Sequence, residues 1–482
     1  MEEFNAAALG KRSVKGVFAL VSRTFLLNII SYGVSLIIFT VLSPKDFGVY
    51  IAAIAGQRII SFFTDFGLGA ALVQKRESLE ENDLKTAFSI QMLLTFMVFV
   101  ATLFLRGQIS SFFKLGEDAE RLFLVLVFSI FLSSFKVVPS ILLERKVHFQ
   151  KLIIPQIVES LVFNMILVIL VLRGFGIDSY TWAFLISGVI GIPFYYLVSP
   201  WKIRLGITRK SLISLRFGIQ FQAKNILATI KDDALTLFLA KTLSFVELGY
   251  IGFGQRNAFF AYRFIVDNVT KVTFSTFARI QDDTQLLKIA IEKSLFLVSA
   301  IIFPLLFGLI TVAPYVIYHF PRWQQKWEPA ILSLIFFSLN ALVSSLSGIL
   351  VNVLDATGRV KLTLRLMIMW TVLTWTITPL GIYFFGYSGV AIASFIVTLT
   401  IGVTIYFVKE IVNFNFLKSI DKPFLCSLGM SIFVFFAARF YAKDLLSTSI
   451  IIMIGGIIYL LSMYLLVGKQ VKKDLALVLK KT

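Results

Sequence analysis

The stretch from Leu42 to Gln74 reads LSPKDFGVYIAAIAGQRIISFFTDFGLGAALVQ. It is long and apolar enough to cross a bilayer, yet it carries Arg58 and Asp65. An ionised side chain at the centre of the hydrocarbon costs roughly 2.5 to 3.5 kcal/mol even on the permissive insertion scale, so such residues face a partner or a watery cavity. About two hundred residues later a second segment of this kind begins at Leu248, Gly249 and Tyr250 and carries Arg256, Arg263 and Asp267. The chain is organised around this pair.

Composition sets the class. The 482 residues are 58% hydrophobic and only 15% charged, and the mean hydropathy is +0.87. A soluble domain would be about a quarter charged, so this is an all-α polytopic membrane protein. The formal net charge of +19 sits mostly in short loops between apolar runs, which is how a positive-inside topology is written, and nucleic acid is therefore excluded as a partner. The single cysteine, Cys426, lies in an apolar run and rules out an intrachain disulfide or a Cys-rich metal site. Lys11, Arg12 and Lys15 precede the first apolar run, which is too long for a signal peptide and is read as a retained helix.

Windows of about 20 apolar residues give roughly fourteen spans. Among them are Phe47 to Gln74, Phe217 to Lys241, Val246 to Ala278 and Val390 to Val408. One set of alternate loops holds about 27 Lys and Arg residues against about 10 in the other, which predicts cytoplasmic termini. Repeats fix the architecture. Gly48 matches Gly249, Asp65 matches Asp267, and Leu84-Lys85 matches Leu287-Lys288. Further on, Arg145-Lys146 parallels Arg359 to Lys361, and Gly174 to Gly176 parallels Gly386 to Gly389. The expected organisation is a six-helix lobe at 1–200, a basic linker at 201–216, a second six-helix lobe at 217–410, and two additional helices with a basic tail at 411–482.

Leu42-Ser-Pro-Lys-Asp-Phe-Gly-Val-Tyr50, followed by Asp65-Phe-Gly-Leu-Gly-Ala-Ala-Leu-Val-Gln74, resembles the opening signature of bacterial polysaccharide transporters, the Wzx-like flippases of the MOP superfamily. Arg145 to Phe149 and Leu248 to Tyr250 extend the resemblance, and span number and loop order carry it over the whole chain. The resemblance implies two six-helix, MATE-like bundles around a central cavity. It also implies alternating access and outward movement of glycans carried on polyprenyl pyrophosphate across the bacterial plasma membrane, for O-antigen, capsule or exopolysaccharide synthesis. Relatives often place an Asp closer to the following Leu-Gly-Tyr than Asp232 or Asp233 stand here, so that residue's role is not transferred. A monomer is expected, with a polysaccharide polymerase and export machinery as candidate partners.

The charges inside the spans are the candidate site. Arg58 and Asp65 are seven apart and share a helical face, as do Arg256, Arg263 and Asp267. The seventh span adds Gln220, Lys224, Lys231, Asp232 and Asp233. An aqueous cavity accounts for all three stripes, and its excess of Arg and Lys suits an anionic diphosphate. The competing reading is that these charges pair to hold helices together. Arg58, Lys224, Lys231, Arg256 and Arg263 are the expected substrate contacts. Asp65, Asp232, Asp233 and Asp267 are the acids able to take a coupling H+ or Na+, and no other cofactor is expected. Lys136 and Glu159 lie at nearly equal distances from the turn near Val147 and should meet as a structural ion pair. Pro155, Pro304, Pro314 and Pro379 fall in or near spans as candidate hinges.

Enzyme chemistry finds no support in the motifs. No H-E-x-x-H, nucleotide-binding Gly loop or D-x-D is present, and the outer loops are too short for a membrane glycan polymerase or ligase. An ion-coupled MATE-type exporter remains the alternative, distinguished by a small cationic cargo that a basic cavity disfavours.

Overall fold

The computed structural model describes residues 25–65, 68–75, 77–146, 148–208, 211 and 229–479. Every regular element is helical among these residues, and eleven helices are long and apolar enough to cross a membrane. The chain divides into two compact units, Met1–Gly249 and Tyr250–Thr482.

The first unit opens with α1 (Phe25–Val41), α2 (Pro44–Thr64) and the short α3 (Leu68–Gln74). The long helices α4 (Glu81–Phe113), α5 (Glu117–Arg145), α6 (Phe149–Leu172) and α7 (Asp178–Val198) follow. A π-helical turn, Ile230–Ala234, leads into α8 (Leu235–Thr242), and α9 (Phe245–Arg279) starts in this unit and continues into the second. Ile38, Val49, Ala53, Leu122, Leu126, Leu167, Val171 and Tyr180 form one buried cluster joining α1, α2, α5, α6 and α7. The α4–α5 and α6–α7 pairs are hairpins whose short connections make them antiparallel neighbours.

The second unit continues with α10 (Thr284–His319), a short helix and 3-10 turn at Gln324–Trp327 and Glu328–Ala330, and α11 (Ile331–Ala356). Then come α12 (Val360–Phe385), α13 (Ser388–Thr398), α14 (Ile401–Lys409), α15 (Phe416–Tyr441) and α16 (Leu445–Leu479). Leu287, Ile291, Leu295, Val298, Ile302 and Leu306 recur every three or four residues along α10. They pack into the same core as Leu346, Ile349, Leu350 and Val353 of α11, the seam that this spacing dictates.

Three expected spans are not continuous apolar helices. The span from Phe47 to Gln74 stops being helical after Thr64, and Asp65 caps it with φ −92° and ψ 92° while its N–H still bonds Ser61 O. Gly67 follows two residues on and lowers helix propensity at the break, after which α3 resumes at Leu68 and includes Gly69. The span from Val390 to Val408 lies within Ser388–Lys409, one of the eleven, which is briefly interrupted between α13 and α14, with Trp370 Nε1 donating to Thr400 Oγ1 at 3.0 Å beside the break. The span from Val246 to Ala278 is one 35-residue helix, α9, but it is too polar to count among the eleven apolar ones.

Proline positions are met by a repeated device. Pro139 in α5 has no N–H, so the carbonyl of Phe135 loses its helical donor, and the Tyr196 hydroxyl of α7 donates to that oxygen at 3.0 Å. Pro304 in α10 does the same to Ala300, and the Tyr459 hydroxyl of α16 donates to its carbonyl at 2.6 Å. Water is scarce within the bilayer, so a carbonyl freed by proline needs such a neighbour. Tyr459 thereby ties the C-terminal hairpin to α10, alongside the contact of Val312 with Cys426, Met430 and Val434.

Candidate functional site

The site is built on two helix starts with one design. Ser43 is the N-cap of α2: its hydroxyl oxygen accepts from Asp46 N at 3.2 Å, and Asp46 Oδ2 accepts from Ser43 N at 3.3 Å. Pro44 occupies the first turn, where its missing N–H is harmless. At α9, Ser244 and Glu247 repeat the box, with Glu247 N donating to Ser244 Oγ at 3.3 Å and Ser244 N to Glu247 Oε2 at 2.9 Å. The two starts also touch through backbone. A Cβ on Gly48 would lie 1.8 Å from Phe245 O, and one on Gly249 would lie 1.9 Å from Pro44 O. Glycine is required at both positions by this close approach.

From that crossing α2 carries Arg58 to the π-helical turn. Arg58 Nη1 lies 3.4 Å from Asp233 Oδ1, and the two side chains are 60% and 16% exposed. Lys231 Nζ meets Asp232 Oδ1 at 2.8 Å. The turn thus splays the adjacent acids, sending Asp233 to Arg58 and Asp232 to Lys231. A π turn inserts an extra residue into the helical register, and such turns concentrate at functional positions. Just beyond it, Lys241 of α8 donates to the carbonyl of Phe112 at the end of α4, with Nζ 4.0 Å from the Phe112 ring centroid.

In the second unit, Arg256, Arg263, Asp267 and Lys271 form one exposed stripe along α9. Asp267 feels the positive charges of Arg263 and Lys271, four residues away on either side. Asn352 of α11 braces the helix there, its amide donating to Thr270 O at 2.9 Å and to Thr273 Oγ1 at 2.7 Å. Asp65 stands at the end of α2, not two turns along a continuous span with Arg58. Gln220 and Lys224 lie outside the described residues.

The Lys136 ammonium of α5 is 2.5 Å from Glu159 Oε1 of α6. Tyr195 of α7 places its ring 5.9 Å from the ammonium, and Gly191 leaves room for the carboxylate, because a Cβ there would be 3.0 Å from Glu159 Oε2.

One cluster escaped the sequence reading. The stretch after α7 is docked on the N-terminal end of α4: Trp201 packs edge-on to Phe88, Arg204 pairs with Glu81 at 2.6 Å, and Gly206 N donates to Ser89 Oγ at 2.9 Å. Thr208 N donates to Thr86 Oγ1 at 3.1 Å and the Ser211 hydroxyl to Asp83 Oδ1 at 2.8 Å, while Lys75 takes the other oxygen of Asp83 at 2.7 Å. Arg145 closes the same end by donating to the carbonyls of Leu72, Lys75 and Glu77. A glycine, a threonine and a serine in a basic linker were the only sign.

Comparison with known proteins decides the family. A family profile described as polysaccharide biosynthesis protein matches residues 37–332. The chain belongs to this family. It is 24% identical over 437 residues to the lipopolysaccharide biosynthesis protein WzxC of Escherichia coli (strain K12), covering 83% of each chain. It is 23% identical over 295 residues to the succinoglycan biosynthesis transport protein ExoT of Rhizobium meliloti (strain 1021), covering 60% of this chain and 59% of that one. Among solved structures, the lipid II flippase MurJ in an inward closed conformation superposes with a TM-score of 0.77 at 18% identity, over 94% of this chain and 99% of that one. An inward-facing MATE multidrug transporter of the MOP superfamily gives 0.62 at 15% identity, over 80% and 95%. The fold is therefore like that of these MurJ and MATE structures, and the protein is a multi-pass membrane protein.

Proposed function

We infer that this polysaccharide biosynthesis protein is a flippase. It moves polyprenyl-pyrophosphate-linked oligosaccharide units from the cytoplasmic to the outer leaflet of the bacterial plasma membrane by alternating access, for assembly of a surface polysaccharide. The observation that carries the reading is exposed positive charge on two long helices, Arg58 on α2 and the row Arg256, Arg263 and Lys271 on α9. Arginine forks match phosphate oxygens, and a diphosphate is the one strongly charged group such a cargo carries. The relative aligned over most of the chain is named for lipopolysaccharide biosynthesis, which agrees with a role in surface-polysaccharide assembly. Both termini face the cytoplasm in this reading, by the bias of basic loops.

The reaction needs no covalent step. The glycan and its diphosphate leave one aqueous face and reach the other while the polyprenyl chain stays in lipid. Asp65, Asp232, Asp233 and Asp267 are the acids that a coupling proton or sodium ion would occupy. The MATE-like fold keeps one rival reading, export of a small cation, and cargo charge separates the two. The test is purified protein in proteoliposomes given a lipid-linked oligosaccharide, with a glycosidase or lectin reporting exposure on the opposite leaflet. Protein-dependent exposure is expected; ethidium-type cation efflux without glycan exposure would overturn the reading.

A further inference from the structure

We propose that Asp233 is a built-in competitor for the anion site of Arg58, and that it sets the charge a ligand must bring to be accepted. The inference rests on the flippase reading and names a selectivity residue within it. Three observations lead to it. The Arg58 guanidinium has five N–H donors, and among the described residues it makes one hydrogen bond, the 3.4 Å contact to a single oxygen of Asp233. Arg58 is 60% exposed, so its remaining donors are open to an arriving anion, whereas Asp233 is 16% exposed and stays with the π-helical turn. The neighbouring carboxylate, Asp232, is engaged by Lys231 at 2.8 Å and points elsewhere.

A carboxylate and a phosphate oxygen present the same acceptor to a guanidinium, so both cannot hold the same Nη1 donor. A one-point, solvent-exposed pair is weak and yields readily to a bidentate partner of higher charge. A diphosphate, with two phosphoryl groups and more than one negative charge, displaces Asp233. A monophosphate carries less charge to repel the carboxylate and offers fewer oxygens, so it competes poorly. The turn returns Asp233 to Arg58 once the cargo departs, which also discharges the product.

The experiment uses the full chain in nanodiscs, titrated with polyprenyl diphosphate, polyprenyl monophosphate and inorganic pyrophosphate, with binding read by calorimetry. Wild type is expected to prefer the lipid diphosphate to the monophosphate. Asp233→Asn is expected to tighten monophosphate binding by about threefold to tenfold and diphosphate binding less, so that the preference shrinks. Asp232→Asn, which removes an equal charge one residue away, should change either affinity less than about twofold. Arg58→Gln should abolish the discrimination. Asp233→Ser carries the same expectation as Asp233→Asn should the amide variant fail to fold. Inorganic pyrophosphate separates the sources: binding with the same variant order places recognition in the diphosphate group, and its absence with lipid diphosphate bound places it in the headgroup held at the membrane. Equal effects of the two aspartate variants, or weaker binding in Asp233→Asn, would overturn the proposal. Those outcomes leave translocation by the wild type intact, so they sink the competitor without sinking the flippase, whereas wild-type protein that fails to translocate does the reverse.

Discussion

Both α2 and α9 begin with a serine-capped turn followed by a glycine pressed against the other helix's backbone, but α2 ends at Thr64 while α9 runs unbroken to Arg279. The starts are bound to each other: each glycine faces a carbonyl from the other's first turn, so neither can change alone. The ends are not so bound, and composition separates them. After Asp65 comes Gly67, and the helix stops before a short one starts at Leu68; after Asp267 come Asn268, Val269, Thr270 and Lys271, whose Asn and Thr side chains bond back to the helix's own carbonyls. Two aspartates that align in sequence therefore hold different posts. Asp65 caps a helix end, and Asp267 sits within a helix between two cations.

The comparison breaks first at the glycines. Gly48→Leu or Gly249→Leu drives a side chain into a carbonyl less than 2 Å from its Cβ, and folded, membrane-integrated protein should be lost. Gly33→Leu, where a Cβ would meet nothing within 4 Å, is the control and should accumulate normally by fluorescence-detected size exclusion. Next in size is the ion pair. Lys136→Met or Glu159→Gln leaves the other charge uncompensated and should cost about 2 kcal/mol, seen as a lower unfolding temperature. The exchange Lys136→Glu with Glu159→Lys should restore much of it, and no rescue would count against the pairing.

The proline carbonyls come third. Tyr459→Phe should destabilise by about 1 kcal/mol because it orphans the Ala300 carbonyl, and the loss should shrink when Pro304→Ala supplies an N–H instead. A double-mutant cycle reads that coupling, and Tyr196 with Pro139 should give the same sign. The smallest effect sharpens the likeness of the starts: Ser43→Ala and Ser244→Ala should each cost about 1 kcal/mol or less and by similar amounts. A much larger loss at one would show that the two caps do not carry equal load.

Local patterns were legible in the sequence. Hydropathy located the long helices, the spacing of Gly48 and Gly249 identified the duplicated starts, and equal distances from one turn brought Lys136 to Glu159. The matching boxes Ser43–Asp46 and Ser244–Glu247 stood at the same offset as the glycines and could have been read with them. Pairings between segments distant in sequence were not legible. Arg58 meets Asp233 across 175 residues, and nothing local to either favours that partner over Lys231 or Asp65. The end of α2 was masked by its hydropathy, which stays high across Phe66 and Leu68 while Gly67 lowers helix propensity; burial and propensity are separate quantities, and the apolar window reports only the first. The docked linker was not legible for a related reason: two of its contacts use backbone N–H groups that every sequence has, and Arg204 and Ser211 meet Glu81 and Asp83 across more than a hundred residues.

The central claim is that the exposed arginines of α2 and α9 serve the passage of an anionic lipid-linked glycan across the membrane. The measurement is translocation of a polyprenyl-diphosphate-linked oligosaccharide in proteoliposomes by wild type and by the double variant Arg58→Glu with Arg263→Glu, each checked for equal insertion. The account predicts glycan exposure on the far leaflet for wild type and its loss, by at least about tenfold, in the double variant. Wild-type translocation with both charges reversed would contradict it.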